Sequence, residues 1–136
     1  MTDPFTLEII RDNLEAISDE MFIALHRTAH GVVMYEMLDF SVGLADAQGR
    51  MIVQGNGLPF FVSTLESAVR DVIAKHGAAD AIRPGDVFMT NDPYHGGGTH
   101  LNDVCLVMPI FFEGALVAFA ANKGHWSELG GKDATV

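Results

Sequence analysis

The sequence predicts an α+β fold, and three observations carry that expectation. Apolar residues recur at three- and four-residue spacing over residues 4 to 30, the period of an amphipathic helix. Two later stretches, each broken by a short turn, read as β-hairpins. Between them a second helical pattern runs over residues 64 to 76. The result is a long N-terminal amphipathic helix, two hairpins and a second helix.

Each element has its own grounds. Pro4 suits a first helical turn, with Asp3 or Thr6 as cap. Leu7, Ile10, Leu14, Ile17, Met21 and Leu25 form one stripe, while Glu8, Arg11, Asp12, Glu15 and Glu20 fill the opposite face. Such a stripe marks core or a subunit contact. His26 and His30 stand four apart near the helix end, where a favourable interaction with the helix dipole explains them better than a shared metal. In "LDFSVGLADAQGRMIVQGNG", Phe40, Val42 and Leu44 alternate, "DAQGR" turns and "MIVQ" returns. The second helix carries Leu65, Val69, Val72 and Ile73 and stops at Gly77. "IRPGD" is a turn that feeds the strand "VFMT". Finally "DVCLVMPIFF", the turn "EG" and "ALVAFAANKGHW" make a hairpin too apolar to face water on both sides.

Composition narrows the function. A chain of 136 residues is one domain's worth, and 49% hydrophobic content is neither disordered nor fibrous. A net charge of −10 opposes nucleic acid and anionic membranes, both of which select basic surfaces. No apolar run is long enough for a transmembrane helix. No secretory signal is visible, so the cytoplasm is the expected compartment. The single cysteine, Cys105, lies in an apolar run and reads as a small core hydrophobe. The end, "GHWSELGGKDATV", lacks a closing element, which suggests a fragment or a chain completed by a partner.

The chemistry concentrates in "NDPYHGGGTHLND". Glycines beside a histidine let backbone and side chains crowd onto one point. "HGGGTH" has neither the Lys-Ser/Thr of a phosphate-binding loop nor a dinucleotide fingerprint. His100 and Asp103, spaced H-x-x-D, suit zinc, manganese or iron. His125 ends the hairpin that begins at Asp103, so two strands return it beside His100. Asp39 stands at the mouth of the first hairpin between Leu38 and Phe40. Gly96, Gly97 and Gly98 are expected to bend the chain so that His100 and Asp103 reach the cluster, with Gly96 the most dispensable.

Together, "DPFTLEIIRDNLEAISDEM", "LDFSVGLADAQGRMIVQ", "RPGDVFMTNDPYHGGGTHLNDVCLVMPIF" and "ANKGHWSELGG" resemble, in order, the N-terminal region of the hydantoinase B/oxoprolinase family. That family includes B-type subunits of N-methylhydantoinase, 5-oxoprolinase and caprolactamase, with acetone-type carboxylase α subunits related. The resemblance implies that residues 1–136 form the N-terminal metal-binding region of a larger subunit. It implies that Asp39 of "LDFS", His100 and Asp103 of "GGTHLND", and His125 hold a divalent metal. The chain departs from the family at Trp126, where a second histidine is common, and at Glu128, where aspartate is usual. An extra glycine widens the loop, and Phe61 stands where many members carry histidine.

The resemblance further implies an ATP-dependent complex in which an A-type subunit phosphorylates the substrate and this B-type chain completes the chemistry. C–N hydrolysis of a hydantoin, oxoproline or lactam is the favoured reaction, with Asp92 or Glu128 as base or orienting group. The alternatives are an acetone-type carboxylase subunit and a truncated, non-catalytic interaction module. A hetero-oligomer is expected, because the chain contains no ATP motif of its own.

Overall fold

The computed structural model describes residues 3–59, 61–77 and 81–132. Helix α1 spans Pro4–Thr28, and its Asp3 cap accepts a hydrogen bond from the Thr6 amide. It is two residues shorter than the spacing predicts, because Ala29 turns extended and Gly31 opens a short helix, α2, at Val32–Tyr35. Strands β1 (Phe40–Asp46) and β2 (Met51–Gln54) form the first hairpin. Helix α3 covers Phe61–His76, starting about one turn earlier than its stripe suggests, just after Pro59. Strands β3 (Phe88–Thr90), β4 (Asp103–Phe112) and β5 (Ala115–His125) follow.

All five strands join one antiparallel sheet in the order β2-β1-β5-β4-β3. The two hairpins are therefore not separate units: β5 bridges them by pairing β1 on one side and β4 on the other. The helices cover opposite faces. Leu65, Ala68, Val69 and Val72 of α3 pack with Ala45, Cys105, Val107, Phe119 and Ala121 to form the main core. Each fully buried aliphatic or aromatic side chain there contributes on the order of 1.5–3 kcal/mol. On the other face Phe40 stacks on Phe22 of α1, with ring centroids 4.7 Å apart. Cys105 is fully buried, as its apolar context predicts, and burial pushes its thiol up to about 11.

The stripe on α1 is only partly used within this chain. Leu7, Ile10 and Ile17 stay about half exposed, and Ser18 is the buried residue of the helix. Leu7, Ile10 and Leu14 border Ile52 and Val53 of β2, and Phe22 reaches Phe40 of β1, so the helix runs along this edge of the sheet while part of its stripe stays uncovered. His26 is engaged by aromatic neighbours: its ring stacks on Tyr35 at 5.1 Å, and its Nε2 lies 3.0 Å from the Tyr35 carbonyl. His30 falls beyond the helix and is exposed. Among the described residues, no helix is long and apolar enough to cross a membrane.

Candidate metal centre

Side chains on a strand alternate between faces, so the face carrying Phe119 and Ala121 also carries Lys123 and His125. Register then sets the neighbours. His125 pairs directly with Asp103 at the start of β4. On the other side the His125 amide donates to the Asp39 carbonyl at 3.1 Å, just outside β1. Asp39, His125 and Asp103 thus form a row across three strands at one end of the sheet. One rung further in, Ser41, Lys123 and Cys105 make the next row.

Two imidazoles and the Asp103 carboxylate converge, with Asp39 standing beside His125 at the edge of the group. His125 Nδ1 lies 3.9 Å from Asp39 Oδ2 and 3.8 Å from Asp103 Oδ1. His100 Nε2, from the loop, lies 3.4 Å from the same Asp103 oxygen. The two imidazole rings are 5.0 Å apart. One donor atom from each of His100, Asp103 and His125 lies within 4.8 Å of the others. Asp103 and His125 are buried, whereas the His100 side chain is 44% exposed, so the cluster opens to solvent on the loop side.

Local structure holds each group. Leu38, immediately before Asp39, adopts φ 55, a left-handed conformation that is strained for a bulky residue. The Asp39 amide is tied to the Val33 carbonyl at 3.1 Å. At the far side the Trp126 amide donates to the Asn102 carbonyl, and the Asn102 amide side chain donates to the Trp126 carbonyl, both at 2.8 Å. That clip closes the ends of β4 and β5 beside the cluster.

The glycine trio divides its work. Gly97 alone has a left-handed backbone, φ 74, and a Cβ there would run into the Thr64 carbonyl of α3. A Cβ on Gly96 would strike the Thr90 hydroxyl, so Gly96 is not the dispensable member that the sequence suggests. Gly98 is the most tolerant, its nearest neighbours being 3.3 Å from a built Cβ.

Sequence reasoning missed Lys123. Its side chain is fully buried and its ammonium sits 4.3 Å from the centre of the Phe61 ring. It donates to the Gly97 carbonyl at 2.9 Å and the Thr64 hydroxyl at 3.2 Å, and lies 3.3 Å from Asp103 Oδ2. The signal was a lysine on the inward face of an apolar strand, two residues before His125. Phe61 is the ring beneath that ammonium.

Electrostatics separates the two carboxylates. Burial holds the Asp39 carboxyl above its ordinary 3.8, His125 opposing and Asp103 reinforcing the effect. Burial would also raise Asp103, but the hydrogen bond from the Thr99 hydroxyl and the charge of Lys123 outweigh it and hold that carboxyl below 3.8. Asp103 is the committed anion of the pair.

Asp92 and Glu128 do not join the cluster. Asp92 Oδ1 accepts from the Tyr94 and His95 amides and Oδ2 pairs with His95 at 3.3 Å, so its carboxylate shapes the loop rather than facing the cluster. Glu128 lies past the end of β5 and is exposed, with no hydrogen bond or ion pair to the cluster.

The comparisons follow the same geometry. The profile of the hydantoinase B/oxoprolinase family matches residues 3–136. The caprolactamase β subunit of Pseudomonas jessenii is 36% identical over 129 residues, 95% of this chain and 22% of that protein. 5-Oxoprolinase 1 of Arabidopsis thaliana is 33% identical over 131 residues, 96% of this chain and 10% of that protein. Among solved structures, the ATP-dependent caprolactamase from Pseudomonas jessenii superposes with a TM-score of 0.82 at 34% identity, covering 97% of this chain and 22% of that one. Nucleotide-free acetone carboxylase shares the fold, with a TM-score of 0.85 at 21% identity over 96% of this chain and 17% of that one. The chain spans between a tenth and a quarter of the length of these relatives. With its helix-flanked antiparallel sheet and its match along the whole described length, the chain belongs to the hydantoinase B/oxoprolinase family.

Proposed function

We propose that this chain is the metal-holding N-terminal region of a B-type subunit of an ATP-dependent C–N hydrolase. The observation that carries the reading is the row Asp39–His125–Asp103, completed by His100 from the loop. The donor set fits a divalent ion: two imidazoles and two carboxylates suit zinc, manganese or iron. Asp103 Oδ1 supports that fit, because it is turned toward both imidazoles while the protein's own donors gather on Oδ2. When bound, such an ion acidifies water and polarises a substrate oxygen.

The chain's own residues do the rest. Asp103 and His125 hold their positions through sheet register, and Asp39 is aimed by the turn at Leu38. His100 closes the cluster from the exposed side, where substrate enters. The substrate class is a cyclic amide such as a hydantoin, oxoproline or lactam, activated by an A-type subunit that handles ATP. The assembly is a hetero-oligomer, a reading supported by the subunit names of the caprolactamase and hydantoinase relatives, and its proposed compartment is the cytoplasm.

The test is to assay the natural chain with its neighbouring A-type subunit, ATP and candidate cyclic amides, with and without a chelator. Amide hydrolysis that needs ATP and is abolished by the chelator supports the proposal. Ketone carboxylation instead of hydrolysis would move the reading to the acetone-type carboxylases. Chelator-resistant hydrolysis would refute the metal role.

A further inference from the structure

We infer that Lys123 is a positioning residue of the metal centre, holding Asp103 as a ligand through one oxygen only and tying it to the glycine loop and α3. The inference rests on the metal reading above and adds a residue to it. A lysine ammonium has three N–H donors and no acceptor. Here the three nearest acceptors are the Gly97 carbonyl, the Thr64 hydroxyl and Asp103 Oδ2, one each from the loop, α3 and β4. Every donor has a partner, and the partners come from three separate segments.

The consequence falls on Asp103. Its Oδ2 receives Lys123, the Thr99 hydroxyl and the Thr99 amide, the last at 3.4 Å. Its Oδ1 faces His100 and His125. The carboxylate is therefore divided: one oxygen belongs to the protein, the other to the cluster. Residues that orient ligands in this way commonly govern metal affinity as strongly as some ligands do. Lys123 is fully buried, so it touches no substrate and acts through Asp103. A buried ammonium also requires a partner to offset its desolvation, and Asp103 is the carboxylate beside it. Gly97 completes the arrangement: its left-handed backbone brings the loop carbonyl onto the ammonium and against the Thr64 backbone.

The test compares Lys123→Met and Thr64→Val with the natural protein, using the full natural chain and any subunits that co-purify. Metal is stripped, and cobalt(II) is titrated against a chelating dye while the visible spectrum of the bound ion is recorded. Lys123→Met is expected to bind cobalt about 10–100-fold more weakly. Its spectrum should also change, because Asp103 is free to swing both oxygens toward the ion. Thr64→Val leaves the ligands and the charge in place but removes one anchor of the ammonium, so a smaller weakening in the same direction is expected. A folded Lys123→Met protein with natural affinity and an unchanged spectrum would overturn the inference, whatever its melting temperature. Should that variant fail to fold, Thr64→Val decides by the same two readings. Failure of the natural protein to take up cobalt would sink the metal reading as well. Uptake by the natural protein with an indifferent pair of variants would sink only the role of Lys123.

Discussion

The two sides of the cluster are built differently. Asp39, His125 and Asp103 are fixed by strand register, with Asp103 and His125 almost wholly buried. His100 arrives on a loop, is nearly half exposed, and owes its place to the bend at Gly97. If the cluster holds the proposed ion, its strand side ties binding to stability, because Asp103 is packed in the sheet and paired with the buried Lys123. Its loop side would tie binding to access, because the exposed His100 can be altered without disturbing the core. A site divided in this way keeps a rigid floor and a replaceable wall.

The largest effect that would break this contrast comes from the strand side. Asp103→Ala leaves the Lys123 ammonium buried without its carboxylate, a change that costs about 3–5 kcal/mol. Thermal melting should fall steeply, and metal binding should weaken beyond the roughly 100-fold that marks loss of an orienting partner. His100→Ala is expected to lose affinity about as strongly while leaving the melting temperature of the metal-free protein unchanged. A large drop in stability for His100→Ala would erase the distinction.

The glycines sharpen it. Gly97→Ala places a Cβ against the Thr64 carbonyl and forces a left-handed alanine, so metal content and activity should fall together. Gly98→Ala should retain most of both, since its new Cβ meets neighbours at 3.3 Å. Equal behaviour of the two variants would show that the loop is only a linker.

How much of this was legible in the sequence follows from the same division. The approach of His125 to Asp103 was readable because a hairpin starting at Asp103 must return its far end beside its beginning. The sheet order was not readable, since nothing in β5 announces that it also pairs with β1. Lys123 was missed because lysine ordinarily marks a solvated surface, and only the period-two pattern through Phe119 and Ala121 turns it inward. Asp92 was singled out for standing near the histidines, but an aspartate before a turn spends its carboxylate on the turn's amides. Glu128 was singled out by motif position, and it lies beyond the strand that aims His125. The stripe on α1 was visible, but period alone does not say which turns meet the sheet.

The smallest effect concerns pH. Asp39 is held above its ordinary 3.8 in the fold, so its charged form is disfavoured relative to the unfolded chain. That penalty is absent below about 3.8 and grows as pH rises through the raised value. Metal-free Asp39→Asn should therefore melt slightly higher than the natural protein at neutral pH, with the difference vanishing below about pH 3.8. A gain that persisted in acid would point to packing rather than charge.

The central claim is that the row on the sheet and the histidine on the loop share one ion. Elemental analysis of the natural chain after extensive dialysis, beside Asp103→Asn and His125→Ala, tests it most directly. The account predicts one divalent ion per natural chain and near-zero occupancy in both variants, with each still folded by circular dichroism. A natural chain without metal, or variants that keep the natural occupancy, would contradict it.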